Sequence, residues 1–188
     1  MPTPDITQVV LRTRFGRLIL AYQGDRFQAV RFGPYGQDAA PSGVRIEGNT
    51  PPGPCGRVLV EELARYFSGE SVRFSTRPDV GGYTDFQRAV WKVTLAIPYG
   101  STLTYGRIAL GLGRRNGARA VGAALGRNPF PILIPCHRVI GSSGALTGFG
   151  GGIEWKRALL GLERAPTPAP SPGCGSVGVW ECGRGSGA

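Results

Sequence analysis

The chain is short of most groups on which protein chemistry usually rests. It has one histidine and four cysteines in 188 residues, with no Cys-x-x-Cys pair. With a single histidine and no such pair a structural zinc site has no framework, so no metal is expected. The cysteines at 55, 136, 174 and 182 are also too few and too scattered for the disulfide framework of a small secreted fold. No apolar run approaches the ~20 residues of a membrane helix. The first residues show no charged segment followed by an apolar core, so a soluble, cytoplasmic protein is the expectation. Acid is scarce as well: 12 Asp and Glu stand against 22 Lys and Arg, for a formal net charge of +10. Such an excess points to a polyanionic partner, nucleic acid or an anionic membrane surface.

The shortage of acid is local. Residues 1–80 carry ten basic and eight acidic residues, whereas 81–165 carry eleven and three, the three being Asp85, Glu154 and Glu163. Nearly all the cations are arginines. The guanidinium fork suits phosphate, although a GC-rich genome produces the same bias without function. A chain of this length accommodates two small domains.

Near the start, "VVLRTRFGRLILAYQGDRFQAVRFG" alternates apolar and polar residues around turn signals at Phe15-Gly16 and Gln23-Gly24-Asp25. The pattern predicts a three-stranded antiparallel meander, followed by a Gly/Pro-rich loop from Gly33 to Pro54. Leu59, Leu63, Tyr66 and Phe67 then share one helical face, with Gly69 where that helix would stop. Together these make an α+β domain over residues 1–80.

Thr84 and Gln87 form a capping-box pattern ahead of Phe86, Val90, Val93 and Ile97 at helical spacing. This opens a second, mostly helical domain over 81–165. Thr104 can cap a short helix through Leu110, and "GLGRRNG" separates it from another at about Ala118 to Leu125, which is helix-turn-helix spacing. The second helix, "ARAVGAALG", is built from small side chains; either its backbone approaches another surface closely or it is a tightly packed core helix. A last helix carries Ile153, Trp155, Leu159, Leu160 and Leu162. Residues 166–188, rich in Pro, Gly and Ser, are expected to be a disordered tail in which Cys174 and Cys182 are incidental thiols.

Between the last two helices lies "NPFPILIPCHRVI". A thiol of ordinary pKa is only a few per cent thiolate at neutral pH, so a nucleophilic Cys136 needs a base or a positive end beside it. His137 can serve through a bridging water or after a tight turn, with a carboxylate behind its other ring nitrogen. Asp85, Glu154 and Glu163 are the candidates, and the sequence does not choose among them. Prolines at 129, 131 and 135 fix backbone angles and withhold amide donors, as a rigid apolar pocket around the thiol would need. The competing reading is a buried structural cysteine beside a surface histidine.

"PCHRV" within "RNPFPILIPCHRVIGSSGALTGFGGGIEWKRALL", together with "FQRAVWKVTLAIPYGSTLTYGRIA" and "ARAVGAALGRNP", strongly resembles the methylated-DNA–protein-cysteine methyltransferases, or O6-alkylguanine-DNA alkyltransferases. The likeness runs from Tyr83 to Glu163, is weaker in "GRLILA" and "ELARYFSGE", and stops at Pro166. It implies that Cys136 takes the alkyl group from O6 of guanine in double-stranded DNA, once and irreversibly, without a cofactor. O4-alkylthymine is a further substrate the family allows. The resemblance also implies that His137 is the water-linked base with Glu163 behind it, that Asn128 is the hinge of the active-site turn, and that Tyr105 donates to the guanine ring. Stabilising charge as the purine leaves is the work of such a donor.

The target nucleotide must leave the stack to react. Arg119 matches the finger that fills the gap, and Ala118, Ala120, Gly122 and Ala123 match the small face laid in the narrow minor groove. Pro131, Val139, Phe149 and Gly150 match pocket positions; Phe149 stands where some relatives have tyrosine, which leaves the preferred alkyl size open. The protein is expected to act as a monomer, with cooperative binding on DNA left undecided. Three rivals remain. One is a non-catalytic alkylated-DNA binder, which would lack Cys136. A thiol hydrolase would turn over repeatedly, and a structural DNA-binding module would tolerate loss of the thiol.

Overall fold

The computed structural model describes residues 6–40, 43–49, 51 and 53–164. β1 (Ile6–Thr13), β2 (Gly16–Gln23) and β3 (Arg26–Tyr35) form the expected antiparallel meander. Val9, Leu11 and Thr13 of β1 and Leu18 and Leu20 of β2 are fully buried, the alternation that a half-buried strand imposes.

The stretch from Gly33 to Pro54 is not the loop its composition suggests. β3 runs on to Tyr35, β4 (Arg45–Gly48) pairs with β1, and α1 (Gly53–Phe67) starts before Pro54. The sheet order is therefore β3-β2-β1-β4. β4 carries no apolar alternation because it is a polar edge strand, held by main-chain pairing with β1 and by ion pairs from Arg12 and Arg17 to Glu47. Leu59, Leu63, Tyr66 and Phe67 of α1 are buried as one face. Gly69, at φ 99°, lets the chain turn away while main-chain donors satisfy the last carbonyls of the helix.

α2 (Asp85–Leu95) carries the capping box: Gln87 N donates to Thr84 Oγ1 and Thr84 N to Gln87 Oε1. Its Trp91 indole donates to Ala124 O at 3.0 Å, docking α2 on α4 (Ala118–Gly126). A two-residue strand, β5 (Leu103–Thr104), leads into α3 (Tyr105–Gly111), which Thr104 caps by accepting from Arg107 N. Short β6 (Val139–Ile140) pairs parallel with β5, an element that helix-oriented periodicity does not foresee. α5 (Ile153–Arg164) closes the described chain. The expected tail at 166–188, with its two cysteines, lies outside the described residues.

Sheet and helices share one continuous core from Val9 to Leu162. Val30 N donates to Pro129 O at 2.8 Å, and the Trp155 indole donates to Gly33 O at 2.9 Å. Phe32 packs between Trp155 (4.7 Å) and Phe149 (5.2 Å), tilted against both rings. A Cβ on Gly151 would lie 2.6 Å from the Phe32 ring, so only glycine lets the loop after Phe149 cross the sheet there. β3 thereby braces both segments that flank the cysteine.

Candidate active site

Local main-chain chemistry presents Cys136. Asn128 spans the turn before it: Nδ2 donates to Ile134 O at 2.9 Å, and Oδ1 accepts from Phe130 N at 2.9 Å. Ile134 N donates to Phe130 O, and Ile132 sits at φ 75°, a conformation that a β-branched residue adopts only when its surroundings force it. The prolines withhold amide donors here, and Asn128 supplies two of the bonds that hold the turn. Cys136 then opens a single 3-10 turn, Cys136–Arg138, that runs straight into β6. Because β6 pairs with β5, and Tyr105 follows β5 directly, this pairing carries Tyr105 to the cysteine.

Behind Cys136 lies a fully buried polar cluster. His137 has no exposed surface, which overturns the reading of it as a surface residue. Its Nε2 is 2.7 Å from Glu163 Oε1, while Nδ1 is buried without a hydrogen-bond partner. Of the three acids available, Asp85 is exposed and paired with Arg88, and Glu154 is exposed; only Glu163 reaches the histidine.

Glu163 is saturated with donors. Oε1 also accepts from Tyr66 Oη (2.8 Å) and Arg138 Nη2 (3.0 Å), and Oε2 from Arg138 Nε (2.9 Å) and Gly100 N (3.1 Å). Gly100, at φ 74°, aims that amide, and a Cβ there would stand 3.0 Å from the main-chain oxygen of Glu163. Burial pushes the Glu163 carboxyl up, but the hydrogen bonds of His137 and Arg138, with the charge of Arg138 and, once acid protonates it, of His137, outweigh it and bring it down to about 2. Desolvation lowers His137, and the Arg138 guanidinium acts in the same direction. With Glu163 already neutralised by Arg138, the histidine stays uncharged, with its proton on Nε2 facing the carboxylate and Nδ1 left as the basic nitrogen.

Burial also pushes the Cys136 thiol up, against the pull of an Asn128 hydrogen bond and the Lys156 charge. The resting pair is thus thiol and neutral imidazole rather than thiolate and imidazolium.

Lys156 is a second buried charge. It has no exposed surface, and its Nζ donates to Thr147 O (2.9 Å) and to Tyr105 Oη (3.4 Å). Tyr105 Oη itself donates to Thr147 O at 3.1 Å. Desolvation raises the Tyr105 phenol and lowers the Lys156 ammonium, so burial holds the phenol protonated and makes the ammonium more acidic.

Two connected spaces meet at Cys136. The larger, 740 Å³, is lined by Tyr105, Ala118, Arg119, Gly122, Phe149 and Gly150 among others and opens beside α3 and α4. The smaller, 330 Å³, runs past Asn128, Pro131 and Phe149 to Val30, Arg31 and Phe32 of β3. On α4 the small residues occupy the outward face: Arg119, Ala120 and Ala123 are exposed, whereas Val121, Ala124 and Leu125 are buried. A Cβ on Gly122 would meet nothing closer than 3.8 Å, so packing within the protein does not require glycine there. That excludes the core-helix reading for this face.

Not every residue singled out from sequence reaches the cleft. Val139 is fully buried in the β5–β6 pairing and lines neither space, and Ala120 and Ala123 lie on the open helix surface. Conversely, Tyr66, Arg138 and Lys156 belong to the polar cluster without having been marked. Lys156 and Glu163 carried a readable signal: both fall in the apolar stripe of α5 with Leu159 and Leu160, where a charge needs a partner. Tyr66 carried none, since a tyrosine on a buried helix face is ordinary.

Known proteins resemble this chain over most of its described length. Residues 85–165 match the family model described as "6-O-methylguanine DNA methyltransferase, DNA binding domain". A relative from Mycobacterium tuberculosis named methylated-DNA–protein-cysteine methyltransferase is 56% identical over 110 residues, 58% of this chain and 66% of its own length. One of the same name from Haemophilus influenzae is 50% identical over 102 residues, 54% of this chain and 57% of that protein. The aligned stretch thus spans just under two thirds, or less, of these curated relatives. Structural likeness extends further. The crystal structure of Mycobacterium tuberculosis OGT in complex with DNA has a TM-score of 0.67 and 43% identity, over 85% of this chain and 94% of that one. The O6-methylguanine-DNA methyltransferase of Pyrococcus kodakaraensis has a TM-score of 0.54 and 25% identity, over 84% and 97%.

Proposed function

The chain belongs to the methylated-DNA–protein-cysteine methyltransferase family, and from that premise we propose that it repairs double-stranded DNA by moving the alkyl group of O6-alkylguanine onto Cys136. His137 Nδ1 takes the thiol proton through a bridging water, and Sγ attacks the alkyl carbon in line with O6. The S–C bond forms as the C–O6 bond breaks, and the electron pair passes into the purine. Tyr105 gives a ring nitrogen its proton and is resupplied by Lys156. No step hydrolyses the thioether, so each molecule acts once and needs no cofactor.

The observation that carries this reading is the buried His137–Glu163 pair with a bare Nδ1 behind a thiol at the floor of an open cleft. Glu163 acts as a fixed anion, not a proton acceptor, because Arg138 and three further donors, His137, Tyr66 and Gly100 N, make it too weak a base. It holds the imidazole in the tautomer that leaves Nδ1 free and stabilises the imidazolium while the proton is there.

We assign DNA contact to α3 and α4. Arg119 at the rim of the larger space fills the stack when the base turns out, and Ala118, Ala120, Gly122 and Ala123 give a face without bulk for the minor groove. Pro131, Phe149 and Gly150 enclose the alkyl group, and the main chain near Val139 reads the guanine edge. Residues 81–165 thus hold the chemistry and the DNA face, while 1–80 brace them. The protein works as a monomer in the cytoplasm, with the DNA.

The test is intact mass after incubation with a duplex containing one O6-methylguanine, beside Cys136→Ser. The wild-type protein should gain one methyl in place of a proton, mapped to Cys136, with no second turnover, and the variant should gain nothing. Tight lesion binding with unchanged mass would leave a sensor of alkylated DNA instead, and multiple turnover would mean a hydrolase.

A further inference from the structure

Tyr66 lies in α1, outside the stretch that matches the family model, yet both polar contacts of its hydroxyl fall on the cluster behind Cys136. Oη donates to Glu163 Oε1 at 2.8 Å and stands 3.3 Å from His137 Nε2. Among the described residues it is the one side chain before residue 81 bonded to that pair. Three rings fix it: Phe67 at 5.4 Å, Phe74 at 6.0 Å and Tyr99 at 6.1 Å. Its rotamer is therefore set by the core, not by the site.

The direction of its proton has a consequence for the histidine. The Tyr66 hydroxyl proton goes to Glu163, so the oxygen turns lone pairs toward Nε2. That nitrogen then faces two acceptors, a carboxylate oxygen and a phenol oxygen. Placing the imidazole proton on Nδ1 would set three lone pairs against one another in a buried space, whereas a proton on Nε2 satisfies the arrangement. Burial holds the Tyr66 phenol far above its ordinary pKa, so it remains a donor across the working range of pH.

We propose that Tyr66 is a positioning residue for alkyl transfer: its hydroxyl pins Glu163 Oε1 and the plane of His137, so that Nδ1 points at the thiol. The inference rests on the proposed reaction. It makes α1 a working part of the relay, although α1 touches neither DNA nor the alkyl group.

Tyr66→Phe tests it, because the ring and its packing stay. Single-turnover transfer from a duplex containing one O6-methylguanine is followed against pH, with the thermal midpoint measured alongside. At neutral pH the variant should react about tenfold more slowly, part of the 10²–10⁴ that a positioned base supplies. The gap should close at pH high enough for hydroxide to ionise the thiol unaided. A gap of constant size across pH would mean a distorted pocket, and no gap would mean a bystander; either overturns the proposal.

A second readout needs no kinetics. His137 is the chain's one histidine, so ¹⁵N-histidine labelling reports a single ring. The wild type should show a protected proton on Nε2, and Tyr66→Phe should speed its exchange severalfold; equal exchange would count against the pin. If the wild type itself fails to acquire the methyl, the reaction assignment falls first, which separates the two failures.

Discussion

Glu163→Gln removes the charge on which the buried cluster is organised. The carboxylate accepts five hydrogen bonds and is the ion-pair partner of Arg138, which is 9% exposed. An amide keeps one acceptor oxygen and brings an NH₂ among donors, leaving the guanidinium with a bond to Ile97 O and no counter-charge. Breaking a buried pair in this way costs about 3–5 kcal/mol. The carboxyl's ionisation gives a similar figure: held at about 2 instead of 4.5, at 1.36 kcal/mol per pH unit, it contributes about 3 kcal/mol at neutral pH. A domain with roughly 5–15 kcal/mol of stability survives this loss with its melting temperature lowered by about 6–12 °C.

The sign of the pH dependence follows from a depressed folded-state pKa. The contribution is complete above about 4.5 and is lost as pH falls toward about 2. Urea unfolding across that window should show wild-type stability falling while the variant stays level, so that the two curves approach each other in acid. Alkyl transfer at neutral pH should slow about 10²-fold, as for loss of an oriented base. Parallel stability curves in acid, or a wild-type rate, would refute the fixed-anion argument.

Ala123→Leu adds bulk to an exposed helix position, so stability should stay within about 0.5 kcal/mol while duplex affinity drops more than about tenfold. Unchanged affinity by fluorescence anisotropy would remove α4 from the groove. Arg119→Ala should slow repair of duplex DNA far more than reaction with free O6-methylguanine base, and equal losses by single-turnover kinetics would end the finger assignment.

Much of the helical scaffold was legible because its signals are local. Thr84 with Gln87, Thr104 before Arg107 and the apolar faces of α1 and α5 each lie within a turn or two of chain. β4 was not legible, since RIEG has no pattern of its own and exists as a strand only because β1 offers it an edge. The β5–β6 pair joins residues far apart in sequence and is two residues long on each side. The outward placement of Ala120 and Ala123 was half legible: their smallness could be read, but the side of α4 packed by Trp91 could not.

For the site, residue types alone picked out the candidate nucleophile, the shortlist of acids and the small-residue helix face. Each depends on which residue types exist: one histidine, one cysteine adjoining it, and three acids among 85 residues. Tertiary structure decided the rest. It chose Glu163 over Asp85 and Glu154, brought Tyr66 and Gly100 to the carboxylate from separate segments of the chain, and buried Lys156 behind Tyr105. Burial decided the protonation as well, raising the thiol and keeping the imidazole neutral, because desolvation acts on a group's surroundings and not on its place in the chain.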